Sequence, residues 1–141
     1  MELGVGLSIY DRDGDTGARY LLPGEARRDY LIAQLSMKFS GTLGKIPAYV
    51  GVDIFENLQG YSENDSDLVA SRFRDETTGY AVALNLGQNK KRGDWRFRYV
   101  HARVETLAAL SSYATTSFGW LLKTNVIVHD FRIDYSMTDK W

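Results

Sequence analysis

Residues 93–105 read GDWRFRYVHARVE, and residues 118–135, beyond a small-residue connection, read FGWLLKTNVIVHDFRIDY. In the first run Trp95, Phe97 and Tyr99 share one parity, and Arg96 and Arg98 the other. In the second, Phe131, Ile133 and Tyr135 alternate with Arg132 and Asp134. Successive side chains on a strand point to opposite faces, so each run predicts a β-strand with aromatic residues on one face and charges on the other. A strand of this kind suits a wall between an apolar and an aqueous medium.

The same alternation recurs upstream. Leu3, Val5, Leu7 and Ile9 oppose Gly4, Gly6, Ser8 and Tyr10, which predicts a strand over 3–10. A second strand is expected over about 29–40, with Leu31, Ala33, Leu35, Met37 and Phe39 against Gln34, Ser36, Lys38 and Ser40. Its partner starts near Pro47, where Ala48, Val50, Val52 and Ile54 oppose Tyr49, Gly51 and Asp53. A fourth strand covers 79–87, with Tyr80, Val82, Leu84 and Leu86 against Ala81, Ala83 and Asn85. The expected connections are 11–28, 41–46, 57–78, 88–93 and 106–117, alternately long and short. Transmembrane barrels pair long external loops with short turns in this way, and cross the bilayer with tilted strands of about 9–11 residues. The fold class predicted is all-β: an antiparallel up-and-down meander of about six long strands, a segment of a transmembrane β-barrel.

A length of 141 residues fits one domain, read as a single barrel segment over 1–141. The net charge of -1 provides no basic field for nucleic acid, and the absence of cysteine excludes disulfides and thiolate-held metals. No apolar run of about 18 residues predicts a membrane helix. The first residues, MELGV, lack the basic and apolar regions of a signal peptide and look like mid-strand, so a fragment of a longer porin is expected.

The run Gly93-Asp94-Trp95, the aromatic ladder through Tyr99 and the pair Val104-Glu105 resemble the penultimate region of a porin family of Gram-negative outer-membrane β-barrels. Phe118-Gly119 and Thr124-Asn125 followed by His129 resemble its next strand. The likeness is one of motif over roughly the last third of the chain and of pattern elsewhere. In place of the family's glycine-rich run before Thr124-Asn125, this chain has Trp120-Leu121-Leu122-Lys123. The resemblance implies a bacterial outer-membrane location and passive diffusion of small hydrophilic solutes. Its partners would be a lipid bilayer and such solutes or ions, with no nucleic acid and no cofactor, and a homo-oligomer would be compatible with it. It also implies further strand beyond His129, so Trp141 is expected to open another strand.

On the barrel reading the polar-parity residues Lys38, Asp53, Arg96, Arg98, Arg132 and Asp134 line the pore, where opposed charges tune which ions pass. On the alternative reading, a soluble lipocalin-like up-and-down barrel binding a small molecule, the apolar face would line the interior and these residues would be plain surface. Tyr10, Tyr49, Tyr80, Trp95, Tyr99, Trp120 and Tyr135 lie mostly near strand ends, as interfacial girdles do, although β-propensity alone enriches aromatics in strands. Asp11, Asp13 and Asp15 have the spacing of a calcium loop, but its twelfth position is Leu22 where a bidentate glutamate is needed. His101 and His129 stand on different strands without a ligand pattern. No nucleophile elbow, phosphate loop or metal-binding helix is present, so an enzyme is not expected.

Overall fold

The computed structural model describes residues 1–12, 28–109 and 124–138. Six antiparallel strands form one sheet in sequence order: β1 (Glu2–Arg12), β2 (Tyr30–Leu43), β3 (Ile46–Asn57), β4 (Thr78–Gly87), β5 (Trp95–Val104) and β6 (Val126–Tyr135). The meander predicted from alternation is present, with β2 and β3 longer than alternation alone suggested. The sheet is not closed. β6 pairs with β5 and its ladder ends at Trp95 opposite Tyr135, while β1 pairs with β2. Trp141, Trp120, Asp13 and Asp15 lie outside the described residues. No helix among the described residues is long and apolar enough to cross a membrane.

Each register is continuous from end to end, so rows of side chains run straight across the sheet. One row is Leu3, Phe39, Val50, Leu84, Tyr99 and Phe131. On the other face, one residue along, Ser40, Tyr49, Asn85, Arg98 and Arg132 form a row. The apolar face is the open one. Leu7 is 73% exposed and Ile133 77%, and Val5, Ile9, Phe39, Val50, Ile54 and Phe131 are exposed as well. Along β6 the odd-numbered residues are exposed and the even-numbered ones are half-buried.

The turns account for two of the quoted motifs. Leu43 pairs with Ile46 across a two-residue connection whose Gly44 has φ 63°, in the left-handed region that tight hairpins require. At the next short turn the Asp94 carboxylate accepts from the backbone N–H groups of Lys90 and Lys91, and Gly93 N–H donates to the Ser136 carbonyl at 2.8 Å. Gly93-Asp94-Trp95 is thus a turn that delivers Trp95 to its partner Tyr135. Asn125 enters β6 at φ 57°, a conformation that asparagine tolerates better than most residues.

The connection 57–78, expected as polar loop, carries a short helix α1 (Leu68–Arg72). Asp67 caps it by accepting from the N–H groups of Val69 and Ala70. The same carboxylate takes Nε of Arg28 at 2.6 Å. Five residues cannot sustain a helix alone, so α1 depends on this clasp and on burial of Ala70.

A small core gathers at the long-connection end, on the polar-parity face. Tyr30, Ile32, Val100, Ala102, Val104, Leu107 and Ala108 are buried there, Ala102 completely. The Phe55 ring lies over Gly79 directly opposite it, where an added Cβ would collide with the ring. Asn57, 3% exposed, knots the core together. Its Oδ1 accepts from the N–H groups of Leu31 and Gln59, and its Nδ2 donates to the Leu107 carbonyl and the Tyr61 hydroxyl. Tyr61 in turn donates to the Asp29 carbonyl, and burial pushes its phenol up to about 12.

Two outcomes follow from these contacts. Asn57→Ala strands the amide of Leu31 and the carbonyl of Leu107, so it should lower stability by about 2–3 kcal/mol in urea unfolding of detergent-folded protein. The Asp67 carboxyl is raised by desolvation but lowered further by the Arg28 and backbone hydrogen bonds, for a net depression. A carboxyl depressed in the fold stabilises it above the unfolded value of about 3.9 and loses that contribution as pH falls through the folded value. Hydrogen-exchange protection of the Val69 and Ala70 amides should therefore drop as pH falls below about 4, and protection of the β3–β4 ladder should not.

Candidate functional site

The six residues expected to line a pore all share one face. Lys38 lies in the row Gly4, Lys38, Gly51, Ala83, Val100, Asp130, and Asp53 in the row Gly6, Ser36, Asp53, Ala81, Ala102, Val128. Arg96 is opposite Asp134, and Arg98 is opposite Arg132. The structure brings four of them together on β5 and β6, near the short-turn end. Lys38 is three strands away from β5 and Asp53 two, at about 4.8 Å per strand.

The polar face therefore has two regions. The long-connection end is filled by the small core, and the remainder carries hydrogen-bonded charge. Arg96 grips Asp134 Oδ2 through Nε at 2.9 Å and Nη2 at 2.7 Å. Arg132 donates through Nε to Oδ1 of Asp130, two residues before it, at 3.1 Å, and its Nη2 lies 2.7 Å from Oδ2, which is buried and makes no hydrogen bond. Asp130 completes this set; parity alone gave it no partner. Asp53 accepts from the Ser36 hydroxyl at 2.6 Å, and Ser36 accepts from Gln34. The Lys38 ammonium lies 4.8 Å from the centre of the Tyr49 ring. Each of these charges is held on the polar-parity face by a neighbour, and none forms a nucleophile–base pair.

Tyr10 and Tyr49 belong to the polar-parity rows, whereas Tyr80, Trp95, Tyr99 and Tyr135 belong to the apolar face. An aromatic cluster that the sequence did not signal lies on that second face. His101 and His129 are opposite one another and stack with centroids 4.5 Å apart. The Tyr80 hydroxyl lies 3.1 Å from His101 Nε2, and the Tyr99 hydroxyl 2.9 Å from His129 Nδ1. His101 Nδ1 lies 3.2 Å from the Val128 carbonyl, which can only accept, so Nδ1 carries the proton and a neutral ring takes the Tyr80 hydroxyl at Nε2. Sequence parity would have placed both histidines on the apolar face, but only the β5–β6 register makes them neighbours. No group of three metal-ligating side chains occurs among the described residues. Asp11 pairs with Leu31 in the β1–β2 ladder.

Beside α1 a cavity of about 460 Å³ is lined by Arg28, Tyr61, Asp65, Asp67 and their neighbours. Two of its charged walls, Arg28 and Asp67, are joined in the helix clasp. Comparison of the chain with family models, with curated proteins and with solved structures returns no match.

Arg96 and Asp134 are about one-third exposed, which limits what their pairing contributes. A double-mutant cycle of Arg96→Gln and Asp134→Asn should give a coupling of about 0.5–1 kcal/mol in urea unfolding, smaller in high salt.

Proposed function

We propose that this chain is a sector of an outer-membrane β-barrel wall that lets small hydrophilic solutes diffuse passively past its polar face. The observation that carries the reading is which face lies open. Six strands of 10 to 14 residues turn a nearly continuous apolar surface outward, while the polar-parity face is the more enclosed one. Patches of exposed apolar surface this extensive drive association in water and are at rest in hydrocarbon. The lengths match a tilted bilayer crossing, whereas strands of soluble domains average about 5–6 residues.

In this reading Lys38, Asp53, Arg96, Arg98, Arg132 and Asp134 line the passage, and selectivity comes from their charge and from the packed segment 57–78 at one end. The partners are a lipid bilayer and small hydrophilic solutes or ions, and the compartment is a bacterial outer membrane. The likeness of Gly93-Asp94-Trp95 and Thr124-Asn125 to a porin family belongs to the same proposal. Backbone groups at a free strand edge are costly in lipid, and single-chain barrels start at eight strands. The working wall therefore needs further strands beside β1 and β6. A soluble barrel of the lipocalin type would turn Leu7, Val50 and Phe131 inward instead.

The test is one of parity. Val82 and Ala83 are adjacent on β4, Val82 in the apolar row with Met37 and Val52, and Ala83 in the polar row with Gly51 and Val100. Val82→Arg should cost about 2–4 kcal/mol on folding into lipid vesicles if it lies near the midplane, and Ala83→Arg clearly less. Equal losses at the two positions, or a monodisperse detergent-free monomer in size-exclusion chromatography, would sink the proposal.

A further inference from the structure

The ion pairs on β5 and β6 leave one arginine aside. Asp134 is engaged by Arg96, and Asp130 by Arg132. Arg98 stands between them, opposite Arg132 on one side and Asn85 on the other. Its Nε is buried without a hydrogen-bond partner, and no carboxylate among the described residues pairs with it. The residue as a whole is half-buried, so its remaining surface opens on the polar face.

Two guanidiniums directly across an antiparallel pair repel one another, with Cβ atoms about 5 Å apart. Arg132 is paired with Asp130 on its own strand. Asn85, 7% exposed, spends its amide nitrogen on the Gly87 carbonyl at 3.3 Å. Where β5 meets β6 the polar face therefore carries positive charge, three arginines against two aspartates, and the surplus resides on Arg98. A guanidinium offers a planar fork of donors that matches an oxyanion, and does not match chloride.

We infer that Arg98, with Arg132 across from it, binds the oxyanion group, phosphate or carboxylate, of a small solute. The inference deepens the proposed passage by naming the class of solute, and rests on that reading only in requiring the polar face to be wet. Binding is weak, because a station in a passage must release what it takes. An anion between Arg98 and Arg132 relieves their repulsion without breaking either neighbouring ion pair.

The experiment follows the arginine side-chain N–H resonances of the full chain, folded in a phosphate-free detergent, as inorganic phosphate replaces chloride at constant ionic strength. A saturable shift at Arg98, with Arg132 moving along the same isotherm, is expected. Arg98→Gln should weaken phosphate binding at least tenfold, and Arg98→Lys should weaken it less, since the charge stays and the fork is lost. Lys45→Gln, in the β2–β3 turn, should leave it unchanged. A non-saturating shift, an equal response to chloride, or unaltered affinity in Arg98→Gln overturns the inference. Should Arg98→Gln fail to fold, Arg98→Lys binding phosphate as tightly as the parent would overturn it equally. Failure of the protein to conduct in planar bilayers, with saturable phosphate binding intact, would count against the passage and uphold the site.

Discussion

The structure depends on unslipped register. Every strand pair keeps one alignment from end to end, and a shift of a single residue in any of them would carry that strand's apolar set to the polar face. The short connections enforce this. Gly44 closes one hairpin in two residues, and Gly93 with Asp94 fixes the other by hydrogen bonds within the turn and to Ser136 beyond β6. With register set, the apolar rows become continuous, and the Arg96–Asp134 pair and the His101–His129 stack follow.

The sheet reverses the usual arrangement of a water-soluble protein. Its buried side chains lie on the face that carries the charges, because α1 and the segments around Tyr30 and Leu107 fold over that face at one end. Along β1 and β6 the apolar-parity residues are exposed. An open apolar face of this extent favours association in water unless something apolar covers it.

Much of this was legible in the sequence. Alternation gave the strands and their faces, because period two is a local signal that each residue carries independently. It placed Arg96, Arg98, Arg132 and Asp134 on one face, but which arginine meets which aspartate depends on register, hence on turn geometry. The helix α1 escaped because Asp67 is an ordinary-looking cap and the five residues after it become helical only with Arg28 clasped to that cap, a contact across 39 positions. The histidines escaped for the same reason: they are 28 residues apart and become neighbours only through the β5–β6 alignment.

Asn57 has a mechanical consequence. One carboxamide holds the start of β2, the segment after β3 and the segment after β5, so the three connections it touches cannot fluctuate independently. Thermal motion at that rim is collective: a displacement of Leu107 is felt at Leu31 through two hydrogen bonds and one rigid amide plane. Fluctuations at this end of the sheet would then come as few, correlated steps instead of many small uncorrelated ones.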